Sequence, residues 1–454
     1  MIPSIEQTAR KTKSTPRPEF VPGLLIVRIK EDVVAQVPSV SAASVAAVRS
    51  FQLPEAVADP LQKLRRARQI KEIVPVFGQT KKRSLFAKAS ASTAATFAFS
   101  VRHSENEDLR GINLLKLSEN VDLAAMEKEL NRTPGFEYAE RVPARWLLAA
   151  RPKTASEDPM VNRQWGLRAI RWFQATLPAE VKNVSVAVLD TGVDTSHPEL
   201  KHYFAGSKKD HYVNDPASLV DIIGHGTHVC GIIAANAANK VGIAGVCACD
   251  LRVWKIFGDE PAKDGQYYVD EVMYERALNA ARNAEVKVMN LSIGGGAPSR
   301  TEALLFRRLI QAGVTVVAAM GNEYEDGNPV EYPGAYPNVI AVGAINEANG
   351  RARFSNTGKR VALCAPGTNI LSTLPMKPSV VRKETKYAAW SGTSMATPHV
   401  TGAAALVRAR WTTLVSAQVA KKLKDTAAKV PAMGARKRTD EHGHGLLDLE
   451  AALK

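Results

Sequence analysis

Three short segments carry the side chains with which an amide bond can be hydrolysed. Leu189-Asp190-Thr191-Gly192 supplies a carboxylate, Gly224-His225-Gly226-Thr227-His228 an imidazole, and Gly392-Thr393-Ser394-Met395-Ala396 a hydroxyl. Acyl transfer through serine needs a nucleophile, a base within hydrogen-bond reach, a carboxylate that orients the base, and donors for the oxyanion. Asp190 ends an apolar run, so in a strand its carboxylate projects from the carboxyl edge. His225 lies in a glycine-bracketed turn that opens into an apolar helix. Ser394 starts an alanine-rich helix, whose positive end favours a developing anion and whose first amides are left to donate. Taken singly, Asp190 reads as a helix-capping residue and Ser394 as an N-cap. Only the conjunction makes them catalytic. His228, three residues after His225, suggests a metal pair, but no Glu lies close by at zinc-ligand spacing.

These residues need elements to hold them. From about residue 157 onward, short strands that are apolar on both faces alternate with helices. The strands are Val184 to Leu189, Val286 to Met289, Val314 to Ala318 and Val339 to Val342; the helices run from about Val269 to Asn283, Thr301 to Ala312 and Met395 to Arg410. Strands of that kind belong in a parallel sheet covered on both sides. The expected fold over residues 157–454 is α/β, an open doubly wound, mostly parallel sheet whose ligands bind at the carboxyl ends of the strands. Ahead of it, residues 1–18 read as a flexible arm and 19–150 as a small α+β domain. Its predicted order is strand Leu24 to Ile29, a helix around Leu61 to Ile70, strand Ile73 to Phe77, strand Ile112 to Leu117, a helix from Asp122 to about Asn131, and strand Phe136 to Glu140. That is a split-βαβ sandwich, with an insertion loop near 79–100.

Composition narrows the function. With 454 residues, 45% of them apolar, the chain has material for one large core and a smaller domain. The net charge of +15 is split almost evenly between the first 150 residues and the remainder, and no basic run is interleaved with aromatics. That argues against a nucleic-acid stripe. Four cysteines, Cys230, Cys247, Cys249 and Cys364, give no disulfide framework and read as buried free thiols. The first residues have no apolar signal region, and no run of 18 apolar residues occurs, so neither a signal peptide nor a membrane span is expected.

In their order along the chain, Asp190-Thr191-Gly192, His225-Gly226-Thr227-His228 and Gly392-Thr393-Ser394-Met395-Ala396 resemble the three signature motifs of the subtilisin-like serine proteases. The resemblance covers residues 157–454. It implies a serine endopeptidase acting on proteins or peptides, expected as a monomer with no organic cofactor, and a structural role for His228. Ala319-Met320-Gly321-Asn322-Glu323 resembles the family's oxyanion segment, which makes the Asn322 amide the second donor beside the Ser394 backbone amide. Such a donor is worth roughly 3 to 4 kcal/mol in the transition state. Ser292-Ile293-Gly294 and Gly265-Gln266-Tyr267 resemble the two edges between which an extended substrate is held. Glu331 falls where the floor of the primary pocket lies, so a preference for Lys or Arg on the acyl side is expected. Asp158, Glu199 and Asn239 match positions that hold structural calcium in the family.

Residues 20–150 are similar in element order to the family's inhibitory pro-domains, with 134–140 the nearest stretch. Self-processing is then expected near Arg151 or Lys153. Reduced-looking cysteines and the missing signal point to the cytoplasm, with export by a route not visible in the sequence as the alternative. Two other readings compete: a self-cleaving regulator with one partner, and a non-catalytic peptide-binding protein on the same fold.

Overall fold

The computed structural model describes residues 19–30, 70–76, 109, 111–118, 121–147, 150–153, 160–204, 219–237, 239–262, 264–381 and 383–454. Strands β1 (Phe20–Ile29), β2 (Ile70–Pro75), β3 (Ile112–Leu117) and β4 (Phe136–Pro143) form an antiparallel sheet in the order β2-β3-β1-β4. Alternation along β1 divides its apolar residues between two faces. Leu25, Val27 and Ile29 pack with Met126 and Leu130 of helix α1 (Leu123–Asn131). Ile26 instead joins a core shared with the larger part of the molecule. The expected arm and the insertion near 79–100 lie outside the described residues. So does the expected helix from Leu61, except for Ile70, which begins β2.

Two short strands follow, β5 (Trp146–Leu147) and β6 (Ala150–Lys153). The chain then builds a six-stranded sheet from β7 (Ser185–Asp190), β8 (Asp250–Lys255), β9 (Val288–Leu291), β11 (Thr315–Ala319), β12 (Ile340–Ile345) and β13 (Val361–Pro366), with helices α2 (His225–Ala234), α3 (Glu271–Asn283) and α4 (Arg300–Gln311) between strands and the two-residue β10 (Ile293–Gly294) paired with β5 outside it. The order is β13-β12-β11-β9-β7-β8 and every pairing is parallel. All residues of β7, β9, β11 and β12 are buried. That follows from strands apolar on both faces with helices above and below. A hairpin, β14 (Ile370–Thr373) and β15 (Tyr387–Ser391), leads into α5 (Thr393–Arg410), a helix buried along nearly its whole length, and then α6 (Ser416–Asp425).

Since β8 and β9 flank β7 on opposite sides, the strand order reverses there. A crevice at carboxyl ends is what such a reversal creates. Asp190 stands at that end of β7. All four cysteines are buried and free, as the sequence implied, and burial pushes the Cys230 and Cys364 thiols up. Among the described residues no helix is long and apolar enough to cross a membrane.

Candidate active site

Asp190 is the last residue of β7 and His225 the first of α2. Their side chains meet at 2.7 Å between Oδ1 and Nδ1, and neither residue has exposed surface. Contact this close needs α2 to lie flush on the turn after β7. A Cβ on Gly226 would sit 2.1 Å from the Gly192 carbonyl oxygen, so only glycine permits it. Thr191 ties the two segments: its Oγ1 accepts from Gly226 N at 2.8 Å and donates to Asp221 Oδ1 at 2.8 Å. The buried Asp221 also accepts from Ile223 N, Gly224 N, Thr227 N and Thr227 Oγ1. A carboxylate over these amides at the start of α2 is favoured by the helix dipole and fixes the turn that presents His225. Sequence reasoning missed Asp221. Its signal was an acidic residue just ahead of a predicted helix start. His228 Nε2 donates to Ala388 O at 3.1 Å, and the ring stacks on Trp390 at 4.8 Å, which fastens α2 to β15.

Ser394 is the second residue of α5, where its own amide has no partner within the helix. Its Oγ donates to Ser292 O at 2.9 Å, and Ser292 Oγ donates back to Ser394 O at 2.9 Å. His225 Nε2 is buried with no hydrogen bond. Asn322 follows β11. Its Oδ1 accepts from both the backbone N and Oγ1 of Thr393, each at 2.9 Å, which leaves Nδ2 as the donor end of the amide. Glu331 is 2% exposed, and its carboxyl carbon stands where a Cβ on Gly321 would be 2.9 Å away. A carboxylate is therefore buried against Gly321, the residue before Asn322.

Ser292, Ile293 and Gly294 form an edge that is in use. β5 pairs antiparallel with β10, Leu147 opposite Ile293 and Trp146 opposite Gly294. β6 pairs antiparallel with β15, Ala150 opposite Ser391 and Lys153 opposite Ala389. The segment after the small sheet thus adds a strand on each side of Ser394. Leu148 and Ala149, which join the two strands, lie outside the described residues. On the opposite side Gly265 N closes a turn onto Ala262 O at 2.8 Å, and Val269 N donates to Arg145 O at 3.4 Å.

Of the calcium set, Glu199 and Asn239 come together, as acceptor and donor of one hydrogen bond. Asp158 lies outside the described residues. Glu199 Oε1 accepts from Ile243 N at 2.9 Å and from the Tyr387 hydroxyl at 3.1 Å, while Oε2 accepts from Asn239 Nδ2 at 2.7 Å. Asn239 turns its oxygen away, accepting from Val241 N at 2.8 Å. Among the described residues no group of three or more His, Cys, Asp or Glu gathers for a metal. Calcium wants converging oxygens, whereas Glu199 meets N–H and O–H donors, and this arrangement does not fit the ion. Excess chelator is therefore expected to leave the melting temperature unchanged. Tyr387→Phe should lower it, since a hydrogen bond to a buried charged group is worth about 1.5–3 kcal/mol. A fall of several degrees with chelator alone would restore the cation.

A buried Asp–His pair at the carboxyl edge of a parallel sheet, in a chain that also carries a buried serine at a helix start, has the groups of hydrolases that work through an activated serine. Residues 181–446 match the Subtilase family, and the chain belongs to it. Over 237 residues it is 44% identical to the "Major intracellular serine protease" of Bacillus subtilis (strain 168), covering 50% of this chain and 69% of that one. Over 276 residues it is 37% identical to the subtilisin of Bacillus pumilus, covering 60% and 90%. Fervidolysin from Fervidobacterium pennivorans, a keratinolytic enzyme related to subtilisin, shares the fold with a TM-score of 0.67 at 25% identity, covering 97% of this chain. This chain spans 62% of fervidolysin's length. The protein is a serine endopeptidase of the subtilisin type, and its substrates are proteins.

Proposed function

We propose that Ser394 is the nucleophile, His225 the base and Asp190 the carboxylate that orients it, with Asn322 Nδ2 and the Ser394 amide as oxyanion donors. The observation that carries this is the buried 2.7 Å contact of Asp190 with His225 Nδ1, which leaves Nε2, buried and without a hydrogen bond, as the proton acceptor. To react, the Ser394 hydroxyl leaves Ser292 O and turns to His225 Nε2. Hydrogen bonds of this kind often form only in the complex. Oγ then bonds to the scissile carbonyl carbon as its proton passes to His225, and the two donors hold the oxyanion. The C–N bond breaks, His225 returns the proton to the leaving amine, and water releases the acyl group by the reverse sequence.

Residues 19–150 act, in this reading, as a pro-domain whose tail lies in the cleft as an added strand. Leu147 opposite Ile293 and Ala150 opposite Ser391 favour cleavage between Leu148 and Ala149 over the expected Arg151 or Lys153. The buried Glu331 supports Lys or Arg on the acyl side. Leu148 lacks the charge to meet it, which makes the tail a slowly cut occupant. Leu148→Lys is then expected to speed tail loss about tenfold or more, followed by intact mass, with the new N-terminus at Ala149. An unchanged rate for Leu148→Lys would remove Glu331 from specificity. An N-terminus at a residue after Ala150 would refute the register argument. Calcium has no part in this proposal, because donors already meet Glu199. We also infer an intracellular location, supported by four buried free thiols and by the printed name of the 44% identical relative.

A further inference from the structure

We propose that the cleft carries an arginine-accepting pocket at the fourth residue on the acyl side of the scissile bond, selected by Glu302, and that Arg145 fills it within the same chain. The proposal deepens the reading above and rests on it, since the count runs back from Leu148.

The backbone at Arg145 lies as a substrate's would. Trp146 and Leu147 pair with β10, the Arg145 carbonyl accepts from Val269 N across the cleft, and the Ala144 carbonyl oxygen rests 1.8 Å from where a Cβ on Gly295 would stand. Glycine at 295 therefore keeps the groove open to an extended chain. From this strand the side chain turns inward and is 2% exposed. Nη2 donates to Glu302 Oε2 at 2.6 Å. The Tyr274 hydroxyl donates to Glu302 Oε1 at 2.7 Å and the Tyr336 hydroxyl to Oε2 at 2.7 Å, so the carboxylate is held in place by the walls.

Arg145 sits in a carboxylate-rich surrounding. Glu271 and Glu275 are also buried near Glu302. Burial, with Glu302 adding to it, pushes Glu271 up to about 8, and burial followed by Glu271 raises Glu275 as well. The guanidinium of Arg145 is the cation that meets Glu302 there, at 2.6 Å. The residues that receive Arg145 all come from the large sheet's helices and loops, so the pocket stays with the protease when the tail leaves. The small sheet grips the same region separately, through Glu140, which accepts from Ser299 Oγ, Arg300 N and Thr301 N. A site built around a buried charge discriminates against a residue that leaves that charge unpaired. Guanidinium is also easier to desolvate than ammonium and fits a carboxylate better, which places lysine second.

The test uses wild-type enzyme after tail loss and peptides X-Trp-Leu-Leu-Ala, with X as Arg, Lys, Gln or Leu. The expected kcat/KM for Arg exceeds that for Gln or Leu by about tenfold or more, with Lys between. In Glu302→Gln and Glu302→Leu the Arg-to-Leu ratio falls to about one, and the near-isosteric Gln variant guards against misfolding of the other. Casein hydrolysis with no discrimination at X, or an Arg preference kept in both variants, overturns the pocket while the protease reading stands. Failure to cut casein or any peptide overturns both.

Discussion

Under conditions in which the wild type loses a fragment the size of residues 1–148 and hydrolyses casein, Ser394→Ala keeps its full mass and leaves casein intact. The expected loss is about a million-fold in kcat, the scale measured for the nucleophile of the relative subtilisin. What survives is the acceleration of about 10³–10⁴ over water that binding and the oxyanion donors supply without a nucleophile. That is too slow to release the tail in an ordinary incubation. The variant should remain folded, because the hydroxyl makes a single hydrogen bond to Ser292 O and its loss costs about 1 kcal/mol. Matched melting curves would establish this. Tail loss from a purified, folded Ser394→Ala protein would mean that another residue, or another protease, does the cutting. Wild type that is stable in mass and inactive on casein would mean that the closed site needs an outside trigger.

The residues most legible in the sequence were those whose role depends on neighbours in the chain. Asp190 at the end of an apolar strand, His225 between glycines and Ser394 opening a helix are each local patterns, and they stand at the end of β7, the start of α2 and the start of α5. The parallel strands were legible because burial on both faces demands continuous apolar runs. Their limits shifted where pairing decided them: β12 continues beyond Val342 to Ile345 because its backbone follows β13 as far as Pro366. Partnerships between distant segments were hidden. Arg145 and Glu302 are 157 residues apart and Glu199 and Tyr387 are 188 apart, and nothing in either local sequence announces the other. Glu199 was expected to face calcium because its neighbours fit that pattern, but a tyrosine on β15 reaches it first.

Asn322→Ala is expected to lower kcat by about 10²–10³ with little change in KM, the loss known for the matching donor in subtilisin. Nδ2 is a donor to charge that exists only once Oγ has attacked, so its removal is felt in the transition state and hardly in the bound substrate. The amide has a second duty, however, because Oδ1 accepts both hydrogen bonds from Thr393, the residue before Ser394. A slower alanine variant could therefore reflect a displaced helix start. Asn322→Asp separates the two: it keeps an oxygen for Thr393 but replaces the donor with a second negative charge beside the developing oxyanion. If Nδ2 stabilises the oxyanion, the aspartate variant is at least as slow as the alanine variant while melting closer to wild type. If Asn322→Asp retained activity that Asn322→Ala lost, the amide's contribution would be to hold Thr393 in place, and the oxyanion would depend on the Ser394 backbone amide.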